Sequence, residues 1–175
     1  WMAMNLETMA QYAEVFGVLT IIGAVLFSWY QIHQLKKDRR SAAAFKLTEI
    51  YHSSTFAHGM HVVFNSPENL SAKEFEDYHQ EDMKDIVTLM TTWESIGAMI
   101  YRNELDWGLM YDYFAGAIVV TFQKTERVIE DWRNENNRPS YFEWMQWLAE
   151  RVIDLEEGTP PVPAHLLHKD WTPER

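Results

Sequence analysis

From Val15 to Leu35 the chain runs 21 residues without a formally charged side chain. A helix rises about 1.5 Å per residue, so roughly 20 such residues cross the ~30 Å hydrocarbon core of a bilayer. Trp29 and Tyr30 suit an interfacial aromatic belt at one end of the run, and Tyr12 suits one at the other. Lys36, Lys37, Arg39 and Arg40 follow the run and no basic residue precedes it. By the positive-inside rule the N-terminus lies outside and the body lies in the cytoplasm. A signal peptide fits badly, because its basic residues precede the apolar core and a small-residue cleavage site follows it. A transmembrane helix is preferred over a buried helix of a soluble protein.

The remaining charge is uneven. The chain holds 15 Lys+Arg against 26 Asp+Glu, a net charge of -11, and beyond residue 40 it is more acidic still. An acidic body argues against nucleic acid as a partner, since phosphate neutralisation needs clustered Lys and Arg. The absence of cysteine excludes disulfides, thiolate metal sites and cysteine nucleophiles. The expected organisation is a short extracytoplasmic segment (1–12), a transmembrane helix (13–35), a basic collar (36–40), a cytoplasmic helical bundle (41–157) and a proline-rich tail (158–175). A first residue of Trp1 rather than methionine leads to the expectation of a chain incomplete or inferred at its start.

Within the span, Ala13, Gly17, Thr20, Ala24 and Ser28 recur at spacings that place all five within about 80° of arc at 100° per residue. Bulky Val15, Val18, Leu19, Ile22, Val25, Leu26 and Trp29 lie opposite. Small side chains let another helix backbone approach closely in lipid, so this face is expected to pack against a partner span.

The body reads as all-α. SAAAFKLTEIYHSSTF continues with good helix formers, and HGMHVVFNSPEN breaks the helix at Gly59 and Pro67. Ser71 and Glu74 form a capping-box pattern ahead of one long run to about Tyr101, with Phe75, Tyr78, Ile86, Leu89, Met90 and Trp93 on one stripe. Asp106 is the N-cap expected for a third helix, from Trp107 to about Glu135. Its apolar centre, Tyr113 to Phe122, is too short to span a bilayer and reads as core. A second capping box, Ser140 to Glu143, opens a fourth helix to about Glu157, which Gly158 terminates. TPPVPAHLLHKDWTPER is expected to be extended, lying on the surface or docked on a partner.

Chemistry is sparse. Glu49-Ile-Tyr-His52 and Glu76-Asp-Tyr-His79 match the Glu-x-x-His pairs of di-metal carboxylate bundles, with Glu94, Glu126, Glu130 and Glu143 elsewhere. Helical phase turns Glu49 and His52 away from Leu47, Ile50 and Tyr51, and Glu76 sits among acids that read as a solvated face. A di-metal enzyme is therefore disfavoured. His58 with His61 and His165 with His168 read as surface histidines without a third ligand. His33, at interface depth, reads as an ordinary interfacial histidine rather than a ligand to haem iron or chlorophyll magnesium. The acids from Glu74 to Asp85 lack the pattern of a calcium loop. No catalytic, cofactor or metal residue is assigned. Trp132, Tyr141, Phe142, Trp144 and Trp147 cover more than one helix face. Core is their default, and Trp132, Tyr141, Trp144 and Trp147 are candidates for a protein interface.

TTWESIGAMIYRNELDWGLMYDYFAG (91–116) and YFEWMQWLAER (141–151) resemble a bacterial domain of unknown function. The matching features are Trp93-Glu94, Gly97, Tyr101-Arg102, Leu105-Asp106 and the run from Phe142 to Glu150; Asn103 stands where glycine is expected. The resemblance implies one N-terminal span ahead of a cytoplasmic helical domain and brings no activity. Together these features lead to the expectation of a non-enzymatic accessory subunit packed against integral membrane partners. The host would be a larger complex of the bacterial inner membrane, respiratory or photosynthetic. A stand-alone homodimeric adaptor or sensor is the alternative.

Overall fold

The computed structural model describes residues 6–173, with side chains throughout except at residues 6–8, 10, 11, 13, 36–47 and 50. The described chain is all-α, with no strand among the described residues. It divides between Ala43 and Ala44 into two units.

The first helix, α1, runs 46 residues from Leu6 to Tyr51. It contains no proline, and its run of apolar residues, Ala, Gln and Lys offers nothing that interrupts the backbone ladder. Its segment Glu14–Leu35, with mean hydropathy 1.8, is long and apolar enough to cross a membrane.

In the second unit, α2 (Ser54–Phe64) begins where Ser53 adopts extended backbone and its side chain accepts from Phe56 N at 3.3 Å. This N-cap ends α1 and opens α2, so the segment expected to break at Gly59 is helical instead. Gly59 is buried, and a Cβ placed on it would lie 2.6 Å from the Asp85 carbonyl oxygen. The glycine therefore allows α2 to press onto the following helices rather than punctuating the chain.

Ser71 forms the expected capping box, with its backbone N–H donating to Glu74 Oε2 at 2.9 Å. Asp131 also reaches the start of α3 (Ala72–His79), accepting from Ala72 N at 2.9 Å. A carboxylate there is favoured by the helix dipole. The single run expected to about Tyr101 is interrupted by a 3-10 turn at Gln80–Asp82 before α4 (Met83–Tyr101). The turn resets helical phase. Phe75 and His79 point inward from α3, whereas Tyr78, expected on the buried stripe, is 63% exposed. Ile86, Leu89, Met90 and Trp93 are buried as expected.

Asp106 caps α5 (Trp107–Glu135), accepting from Leu109 N at 3.0 Å. Phe114, Ile118 and Phe122 from its apolar centre are buried in the bundle. The last long helix, α6 (Glu143–Gly158), does not open with the expected capping box at Ser140. Phe142 precedes it in the left-handed region (φ 54°), and no side chain of that residue caps it. The tail is not wholly extended, since Ala164–Leu167 forms a one-turn helix, α7.

α4 packs against α2 and α6, and α5 packs against α6, α2 and α3. Phe56, Trp93 and Phe114 meet edge to face at 5.4 and 5.9 Å, with Tyr51 5.0 Å from Phe114. Such arrangements suit the ring quadrupoles.

The glycines give a direct test. A Cβ at Gly97 would lie 2.3 Å from the Trp144 carbonyl oxygen, whereas one at Gly116 meets nothing within 4 Å. Gly97→Ala should destabilise the bundle by about 1–3 kcal/mol through overpacking. Gly116→Ala, in the open middle of a helix, should stabilise it by about 0.5–1 kcal/mol. Denaturant midpoints of the two variants should move in opposite directions; a shared direction would contradict the packing described.

Candidate interaction surfaces

In the first unit, the described side chains of the span are all exposed, from 50% at Ile22 to 71% at Trp29 among the large apolar ones. Gly17, Thr20, Ala24 and Ser28 share one face of the helix. Thr20 Oγ1 donates to the Phe16 carbonyl at 2.8 Å, so its hydroxyl is satisfied within the helix. A Cβ at Gly17 meets nothing within 4 Å. Tyr12, Trp29, Tyr30 and His33 are exposed. The side chains of Ala13, Lys36, Lys37, Arg39 and Arg40 lie outside the described residues.

In the second unit, the start of α6 is seated on α4. Glu94 Oε2 accepts from Met145 N at 2.8 Å, and the Trp144 N–H also faces this carboxylate. Glu94 thus satisfies N–H groups that no residue at the N-cap of α6 reaches. One turn along α4, Gly97 clears space for the Trp144 backbone. Arg133 of α5 holds the approach to α6, with Nε donating to the Tyr141 carbonyl at 2.8 Å and a terminal nitrogen donating to Gln146 Oε1 at 2.7 Å. Burial pushes the Glu94 carboxyl above the usual carboxylate range, against the lowering effect of the two N–H groups.

The aromatic candidates separate at this joint. Trp132 is 8% exposed and donates from Nε1 to Glu76 at 2.8 Å, so it belongs to the core with Phe142. Tyr141 is 43% exposed against Phe142. Trp144 and Trp147 are half-buried and meet the exposed ring of Tyr101 at 4.8 and 5.9 Å. These three rings form an aromatic face across the ends of α4 and α6.

Several ionisable groups have local partners. Glu76 accepts from Trp132, and buried His79 sits 2.8 Å from Ser66 Oγ, which donates to the Val62 carbonyl. His79 therefore serves as the donor, from Nε2. Glu49 and His52 are exposed. Among the described residues no three His, Asp or Glu side chains converge as metal ligands. His58 Nε2 pairs with Asp82 at 2.8 Å, and His61, His165 and His168 are exposed. A groove of about 670 Å³ runs between Glu68–Asn69 and α5. Both of its cations are engaged: Lys124 with the Ser66 carbonyl and Glu68, Arg127 with the Asn69 carbonyl.

Sequence reasoning missed the roles of Glu94 and Gly97. Their spacing of three on one helix was visible, but the helix terminus they receive was not.

Two measurements check these electrostatics. The folded-state pKa of Glu94 is raised, so the folded state binds more protons than the unfolded one just above the ordinary Glu range. Stability relative to Glu94→Gln should rise as pH falls from 7 towards 5, while Glu94→Ala should cost about 1–2 kcal/mol for the lost cap. A ratio of stabilities that moves the other way with pH would refute the assignment. In an NMR titration, His58 should titrate above the ordinary imidazole range because its hydrogen bond to Asp82 favours the charged form. His79 should titrate below it because burial disfavours charge, and Asp82→Asn should bring His58 down.

Comparison with known proteins gives one match: the family model described as Domain of unknown function (DUF4760) covers residues 18–152. No curated protein and no solved structure matches.

Proposed function

We propose that this chain, which belongs to the family described as Domain of unknown function (DUF4760), is a non-enzymatic single-span accessory subunit of a bacterial inner-membrane complex. One observation carries the reading. The apolar segment Glu14–Leu35 is 0% buried within the chain, and Gly17, Thr20, Ala24 and Ser28 share one of its faces. Lipid covers bulky apolar side chains without specificity, whereas a stripe of Gly, Thr, Ala and Ser lets a second helix come close. The span anchors the protein, its small face packs against partner transmembrane helices, and the acidic bundle lies in the cytoplasm. The basic residues Lys36 to Arg40 support that orientation, each contributing on the order of 1 kcal/mol near anionic lipid. The proposed host is an energy-converting assembly, respiratory or photosynthetic.

The same small face fits a second copy of the span, and a membrane-tethered homodimeric adaptor or sensor is the second reading. Purification from the native membrane in mild detergent, followed by native mass spectrometry, separates the two. A stoichiometric integral membrane partner is expected. Gly17→Leu and Ala24→Leu should release that partner, and Val18→Leu on the opposite face should retain it. A self-dimer without a partner would favour the second reading, and a monomer would overturn both.

A further inference from the structure

The outer face of α4 carries a cation at each end and no charge between. Val87, Thr88, Thr91, Ser95 and Ala98 fall within about 100° of arc at 100° per residue, on the face that also holds Lys84 and Arg102. None of these side chains is buried. The acids of α4, Asp85 and Glu94, turn instead towards His58 of α2 and the start of α6. The hydroxyls are spent on the helix itself. Thr88, Thr91 and Ser95 donate to the carbonyls of Lys84, Val87 and Thr91 at 2.8, 2.8 and 2.9 Å. Such a face can be covered without stripping a donor of its partner, and depletion of charge marks the centre of an interface.

α5 carries the matching face. Asp112 and Glu130 are exposed and stand 18 residues apart, the same separation as Lys84 and Arg102. That separation is five helical turns, about 27 Å, so each pair lies in phase along its helix. Tyr113, Gly116, Val120 and Gln123 lie between the two acids, with Tyr113 70% exposed and open space beside Gly116. Arg127 on this side is given to the Asn69 carbonyl at 2.6 Å, and Glu126 adjoins it. Lys84, Arg102, Asp112 and Glu130 have no ion-pair partner among the described residues. We propose that the outer face of α4 docks on the outer face of α5 in a second copy of the chain.

Packing sets the occupant and the register. α4 and α5 both pack on α2 and α6 and stand at opposite corners of the bundle, so their outer faces cannot meet within one chain. The two helices run antiparallel. Trp93 meets Phe114 at one level, while at another Gly59 of α2 lies on Asp85 and the chain just beyond α2 reaches Lys124. A second copy facing the same way therefore offers its α5 antiparallel to α4. Lys84 then meets Glu130 and Arg102 meets Asp112, with Thr91 opposite Gln123. Ala98 comes opposite Gly116, the smallest residue of one face against the smallest of the other. Two α4 faces would not pair in this way, because Lys84 and Arg102 would meet cations in either direction. A contact between two different faces repeats from copy to copy and builds a row or ring. This contact does not rest on what the span packs against.

The chain has no cysteine, so introduced ones report without background. Ala98→Cys and Gly116→Cys copies of the whole chain, each with its own affinity tag, are co-expressed, and the membranes are treated with a short bismaleimide. A crosslinked pair bearing both tags is expected, with little product from either variant alone. Ala98→Cys and Gly116→Cys combined in one chain should give oligomers larger than dimers. Lys84→Glu with Arg102→Glu in the Ala98→Cys copy should cut the mixed pair by about tenfold or more. Asp112→Lys with Glu130→Lys in the Gly116→Cys copy should then restore it. Gly17→Leu and Ala24→Leu should leave it in place. Absence of the mixed pair, equal crosslinking of either variant with itself, or a combined variant that stops at dimers would each overturn the proposal. So would failure of the exchanged charges to restore the pair, or its loss in the span variants.

Discussion

The peptide of Trp144 packs directly against Gly97 of α4. Without a side chain at Gly97, the first turn of α6 settles directly on α4, and any Cβ would occupy the position of the Trp144 carbonyl. The geometry exposes a need as well as meeting one. Helix N-termini leave N–H groups without intrahelical partners, and burying them unpaired costs free energy comparable to lost hydrogen bonds. Glu94 meets that need with a carboxylate, the group that the positive end of a helix dipole favours. The cost is partial desolvation of its charge, which appears as the raised pKa.

Several of the residues that carry the resemblance lie at or beside this joint. Trp93 lies in the aromatic core, Glu94 and Gly97 receive α6, Tyr101 meets Trp144 and Trp147, and Phe142 supplies the left-handed residue that aims the helix. Read in three dimensions, they describe how a four-helix packing is closed. The charged and titratable side chains follow the same pattern: Glu74 closes a capping box, Asp131 and Asp106 cap helices, and Glu76 holds an indole N–H. Groups engaged in this way are poorly placed to bind metal or to transfer protons.

The first unit presents the opposite situation. Its helix has the length and composition to cross a bilayer, and none of its apolar surface is covered by the chain. Among the described residues the bundle leaves one buried side-chain polar atom, Trp93 Nε1, without a hydrogen-bond partner, whereas the apolar side chains of the first helix are exposed. Exposed aromatic and proline-rich side chains also lie outside the packed bundle.

The sequence by itself determined what is decided within a few residues of chain. The uncharged run from Val15 to Leu35, the Ser71 capping box and the Asp106 cap were legible because length, hydropathy and caps act locally. The tertiary structure decided everything that required a second element. Gly59 reads as a helix breaker in sequence, yet it lies within a helix because another backbone fills the space beside it. Tyr78 followed the expected stripe until the 3-10 turn after His79 reset its phase. Ser140 and Glu143 carried the pattern of a capping box, but Glu94, 51 residues before the Met145 N–H it accepts from, took over the cap. The reason is the same in each case: a short-range pattern states what a segment prefers, and the winning partner is set by distances that exist only once the helices have packed.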